Sequence, residues 1–70
     1  MKYIIEVKTE VDKNCCLTEY YKGIDEEDNV VLTPFVEKAA KLSEKVCEDI
    51  IDYLAVALAY LPRKLTKLEI

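Results

Sequence analysis

The stretch that decides the fold is TPFVEKAAKLSEKVCEDIIDYLAVALAYLP, Thr33 to Pro62. It holds no Gly, and the chain's two Pro stand at its second and last positions. Thr33 is a candidate N-cap, because its side-chain oxygen can accept a backbone N–H, and Pro34 suits the first helical position. No Glu or Gln stands three residues after Thr33, so a capping box is incomplete. The segment reads as one helix running to about Leu61 and stopped by Pro62. Ser43 is a second N-cap candidate. The reading taken is one long helix, bent or continuous near Ser43, with two separate helices as the alternative.

On a wheel of about 100° per residue, Val36, Ala40, Cys47, Ile50, Leu54, Leu58 and Leu61 share a face, with Ile51 at its edge. A second stripe lies beside it: Phe35, Leu42, Val46, Tyr53 and Tyr60, with Val56 beyond. Glu37, Lys38, Lys41, Glu44, Lys45, Glu48, Asp49 and Asp52 form the polar face. Near the end that face gives way to Ala55 and Ala59. A small sheet covers one stripe of a helix and not its circumference. Tyr53, Val56, Tyr60, Ala55 and Ala59 are therefore expected to meet another chain. The plain alternative is that the two Ala are good helix formers left exposed.

Outward from the helix, the flanks read as strand. Tyr3, Ile5, Val7 and Val11 alternate with Lys2, Glu6, Lys8 and Glu10, the period of a half-buried strand. Asp12 and Asn14 supply turn chemistry. CCLTEYYKG favours a second strand ending at Gly23, and one of Tyr20 and Tyr21 is expected to join Tyr3 in an aromatic patch away from the helix. VVLT is a third strand after the polar turn IDEEDN, and RKLTKLEI closes with a fourth. The expected fold is α+β: a three- to four-stranded, mainly antiparallel sheet in the order βββαβ, packed on one helix. A helical crossover from the third strand predicts spatial order 4-1-2-3, with the fourth strand parallel to the first.

Seventy residues suggest a single domain, residues 1–70, of marginal stability. The net charge of -4 argues against direct nucleic-acid binding through phosphates. MKYIIEVKTE lacks the apolar core of a signal peptide, and the apolar run at 50–61 is short of the roughly 20 residues a membrane span takes. The expected location is the cytoplasm, the host bacterial cytoplasm if the chain is phage-encoded, with no membrane partner. Cys15, Cys16 and Cys47 are an odd set without His or metal-ligand spacing, so neither a disulfide framework nor a metal or other cofactor is expected.

Catalytic chemistry finds no footing. Nucleophilic catalysis needs a base beside the nucleophile, His is absent, and Ser43 is a cap candidate. Gly23 is the only Gly, which excludes a Gly-rich phosphate loop. The run Asp25, Glu26, Glu27, Asp28 lacks the spacing of a calcium loop. Its ordinary reading is a solvated turn. Its functional reading is an acidic contact for a basic groove on a partner.

Several stretches carry a resemblance: KYIIEVKT, YYKG, NVVLTP and EKAAKLSEK. In these the chain resembles short accessory proteins of phages and prophages, with Asp28-Asn29 where such turns usually carry a Gly. The resemblance implies no active site. It implies a non-catalytic binding protein of a mobile element, a group that includes inhibitors of bacterial defence systems. The functional expectation is a protein-binding module that inhibits a host protein with a basic surface, such as a defence or nucleic-acid-handling enzyme. The alternative is a self-assembling homodimer with a scaffolding role.

Overall fold

A computed structural model describes residues 1–59 and 62–70. Tyr60 and Leu61, placed by the sequence on the second and first helix stripes, lie outside the described residues. Four strands, β1 (Tyr3–Asp12), β2 (Cys15–Ile24), β3 (Val30–Thr33) and β4 (Arg63–Glu69), and one α-helix, α1 (Glu44–Ala57), appear in the expected order βββαβ. A 3₁₀ turn, Val36–Lys38, precedes the helix. The sheet has the predicted order β3-β2-β1-β4, and every neighbouring pair is antiparallel.

β1 forms because its alternation matches the pleat. Ile5 and Val7 are fully buried under α1 together with Tyr3, while Lys8 and Glu10 face water. The β1–β2 turn is set by Asp12, whose Oδ1 accepts the Asn14 N–H at 2.8 Å. β2 does not stop at Gly23 but passes through a bulge there and ends at Ile24. Gly23 sits at φ 155°, a backbone that side-chain-bearing residues rarely adopt.

The long helix from Thr33 is corrected. Thr33 Oγ1 accepts the Phe35 N–H at 3.2 Å and closes a tight turn rather than capping a helix. Beyond the 3₁₀ turn the chain extends from Ala39 and is seated against β1 and β2. Leu42 exchanges two backbone hydrogen bonds with Tyr3, each 2.8 Å, and Ala40 N–H donates to Tyr21 O at 3.0 Å. A helix through this stretch would leave the Tyr3 backbone groups without these partners, a cost that helix propensity at Ala39 and Ala40 does not offset. The break falls at Ser43, whose Oγ accepts the Val46 N–H at 3.4 Å and caps α1. The far end is also earlier than expected. α1 stops at Ala57, with Leu58 as its C-cap.

The extended segment also explains the second correction. β4 runs antiparallel to β1, with Tyr3 opposite Glu69 and Thr9 opposite Arg63. The stretch paired with Tyr3 carries the chain to the start of β1. α1 then climbs back to the other end, where Pro62 O accepts the Glu10 N–H at 3.1 Å. β4 must therefore descend. A helix launched directly from β3 would have reversed this.

The core lies between α1 and one sheet face. Cys47 and Leu54 are fully buried, and Ile50, Ile51 and Leu58 pack beside them against Ile5, Val7, Tyr21 and Leu65. These are the members of the stripe read from the wheel that fall in α1 and its cap; Val36, read on the same face, is half exposed in the 3₁₀ turn, and Ala40 lies in the extended segment. Tyr3 belongs to this core, so the expected aromatic patch with Tyr20 does not form. The N-terminal end of α1 is pinned by charge. Lys67 Nζ reaches Glu48 Oε1 at 3.0 Å and Glu44 Oε2 at 3.5 Å, and lies 5.2 Å from the centre of the Tyr3 ring.

Candidate functional site: two flanks of one helix

Eight of the nine candidate partner-binding residues are described and fall on two separate surfaces; Tyr60 lies outside the described residues. α1 divides them, since it rests on the sheet and leaves a flank toward β3 and another toward β4.

On the β3 flank the structure joins two features that are distant in sequence. Tyr53 lines a depression of about 270 Å³ with Asp28, Asn29, Val30, Ala57 and Leu58. Tyr53 is 47% exposed and Val56, on the outer crest of the helix, is 79% exposed. Val46, two turns before Tyr53, is a further exposed apolar residue on this side of the helix. The acidic residues are held in a compact turn. Asp25 Oδ1 accepts the N–H groups of Glu27 and Asn29, each at 2.9 Å. Asp25 N–H donates to Asn29 O at 3.0 Å, and Asp28 N–H donates to Asp25 O at 3.1 Å. Asp28 takes φ 62°, the left-handed conformation that Gly adopts at least cost. Asp25, Glu26, Glu27 and Asp28 are all exposed. The result is an aromatic and aliphatic surface bordered at Asp28 by the exposed acidic turn.

On the β4 flank, Ala55 and Ala59 line a larger groove of about 460 Å³ with Ile51, Leu58, Pro62 and Leu65. Ala55 and Ala59 are exposed, as the thinning of the polar face suggested. This groove borders the outer edge of β4, which sequence reasoning did not single out as a surface. Its signal was present in the alternation Arg63, Leu65, Lys67, Glu69, with opposite charges at the two ends.

The ionisable groups between α1 and the sheet serve structure. Tyr3 Oη donates to Glu69 Oε2 at 3.4 Å. The neighbouring Glu44 carboxylate first, then burial and Glu69, hold the Tyr3 hydroxyl above its ordinary pKa. The Tyr3 hydroxyl first, and Lys67 next, lower the Glu44 pKa. Burial raises the Cys47 thiol, which keeps it protonated and unreactive. Burial, with Tyr53 nearby, raises Tyr21. Cys15 and Cys16 are exposed free thiols at the start of β2. Among the described residues, no three His, Cys, Asp or Glu gather as a metal site, and no helix is long and apolar enough to cross a membrane.

No protein-family model, curated protein or solved structure matches this chain.

Proposed function

We propose that this protein is a non-catalytic binding module that captures a basic partner protein on the β3 flank of α1. The observation that carries the reading is the depression where Tyr53 stands beside Asp28 and Asn29. Tyr is favoured at the centre of interfaces because a large rigid body is buried with few frozen torsions. The exposed carboxylates of Asp25 to Asp28 would steer a positive surface toward it, which acts mainly on the association rate. The resemblance to mobile-element accessory proteins points to a host protein as the partner, and to inhibition by occupying its basic groove.

The test is retention of proteins from a bacterial lysate on wild type, Tyr53→Ala and Glu26→Lys/Glu27→Lys, each with native circular dichroism. One retained protein with a basic surface should be lost with both variants. Loss with the charge reversal should come through slower association and a flatter salt dependence. Retention unaffected by either variant would refute the reading.

A further inference from the structure

We propose that two copies of this chain associate through the outer edge of β4, antiparallel about a two-fold axis at Thr66, joining their sheets into one. Hydrogen-bond direction along β1 sets which backbone groups of β4 face outward. Tyr3 spends both backbone groups on Leu42, on the side of β1 away from β4. The even-numbered residues of β1 therefore face β4, as shown by Glu10 N–H to Pro62 O (3.1 Å) and Ile70 N–H to Lys2 O (3.0 Å). The β1–β4 register runs without a break from Tyr3/Glu69 to Thr9/Arg63. By alternation, Lys64, Thr66 and Leu68 bond to β1, while Arg63, Leu65, Lys67 and Glu69 direct N–H and C=O outward. β4 is the last strand of the sheet, and no described strand pairs with this edge. Such a row of donors and acceptors is a template for another strand.

The sequence of that edge fits itself. With Thr66 on the axis, Arg63 faces Glu69 of the second copy and Leu65 faces its Lys67, and both pairs occur twice by symmetry. Sliding the register by two residues one way sets Arg63 opposite Lys67. Sliding it the other way sets Lys67 opposite Lys67. Of these three registers only the Thr66-centred one opposes unlike charges and avoids like ones. Lys residues on an edge ordinarily deter pairing. Here Lys67 is already bound by Glu44 and Glu48 of its own helix, and Lys64 points to the other sheet face, opposite Leu68 of the second copy.

The helices also fit. α1 packs over β1 and β4 of its own copy. Two strand spacings then separate the helix axes across the seam, roughly 9–10 Å, which is the normal distance for packed helices. Ala55 and Ala59 leave room on the facing flank. The seam lies on the opposite flank of α1 from Tyr53 and the acidic turn, so a dimer would present both capture surfaces at once. The association stands or falls independently of that capture.

Sedimentation and amide exchange of the full chain test it. Wild type should form a two-chain species, with the outward N–H groups of Leu65 and Lys67 slowed as it forms. Glu69→Lys places like charges opposite twice and should weaken association at least about tenfold. Lys67→Pro removes an outward backbone N–H together with the Glu44 and Glu48 pairs of that side chain, and once shown folded it should stay monomeric. Arg63→Glu/Glu69→Arg, once shown folded, should restore association. A wild type that stays monomeric to millimolar concentration overturns the proposal. So does a dimer undiminished in Glu69→Lys, or a wild-type dimer whose Leu65 and Lys67 amides exchange freely. The wild-type exchange result decides the matter even if a variant fails to fold.

Discussion

Leu54 and Val56 stand two residues apart in one apolar run, and the structure gives them opposite fates. Leu54 is fully buried between α1 and the sheet, whereas Val56 is 79% exposed. Truncating a buried Leu to Ala removes its transfer free energy and leaves a cavity, together about 3 kcal/mol or more. A chain of this length holds roughly 4–10 kcal/mol in total. Leu54→Ala should therefore remove a third or more of the stability and lower the melting temperature by about 20 °C. Val56→Ala loses only the small buried part of a Val, about 0.3 kcal/mol. It gains a similar or larger amount from the better helix propensity of Ala. The expected result is a change within about 0.5 kcal/mol of zero. Urea unfolding followed by circular dichroism, in dilute protein so that association does not contribute, measures both. Equal slopes for the two variants would confirm that the same surface unfolds. A loss above about 1 kcal/mol for Val56→Ala, or below that for Leu54→Ala, would refute the orientation of the helix on which both flanks depend.

Ser43→Ala should cost about 1 kcal/mol in the same unfolding experiment, because it removes the cap on Val46 N–H where the chain changes from extended to helical. Asp28→Gly should be neutral or stabilising by about 0.5 kcal/mol and Asp28→Val destabilising by about 1–2 kcal/mol, since position 28 needs a positive φ; urea midpoints decide the sign. Cys15→Ser/Cys16→Ser should unfold like wild type, while Cys47→Ser should lose about 1–3 kcal/mol by placing a hydroxyl in the core, with thermal melts as the readout. Glu44 has a folded-state pKa below its unfolded value, so its contribution is complete above the ordinary carboxylate range and disappears as pH falls through the folded value. Glu44→Gln should accordingly be less stable than wild type at neutral pH, with the difference closing in acid; a gap that persists in acid would remove Glu44 ionisation as its cause.

What the sequence determined by itself was the set of elements and the faces on which most of the core lies. The alternation of Tyr3, Ile5 and Val7 marks the face of β1 that meets α1; Ile4, on the opposite parity, is also buried, and Val11, on the inward parity, is exposed, so the alternation holds only over the first half of the strand and leaves its other face partly covered. Cys47, Ile50, Leu54 and Leu58 mark the inner stripe of α1, because only that spacing puts side chains on one helical face. Asp12-Lys13-Asn14 and the acidic run mark turns through local side-chain hydrogen bonds. The strand order β3-β2-β1-β4 is the one expected, although the crossover from which it was read places β4 parallel to β1. The direction of β4 did not follow from the elements, because it depends on whether Ala39 to Leu42 is helix or extended chain. Those residues suit a helix locally, and what overrides them is a pair of backbone bonds to Tyr3, thirty-nine positions earlier. Backbone groups are the same in every residue, so their long-range partners leave no mark on composition or spacing. The same reason hid the meeting of Tyr53 with Asp28 and the open edge of β4. Each is decided by which backbone lies beside which, and only the folded sheet sets that.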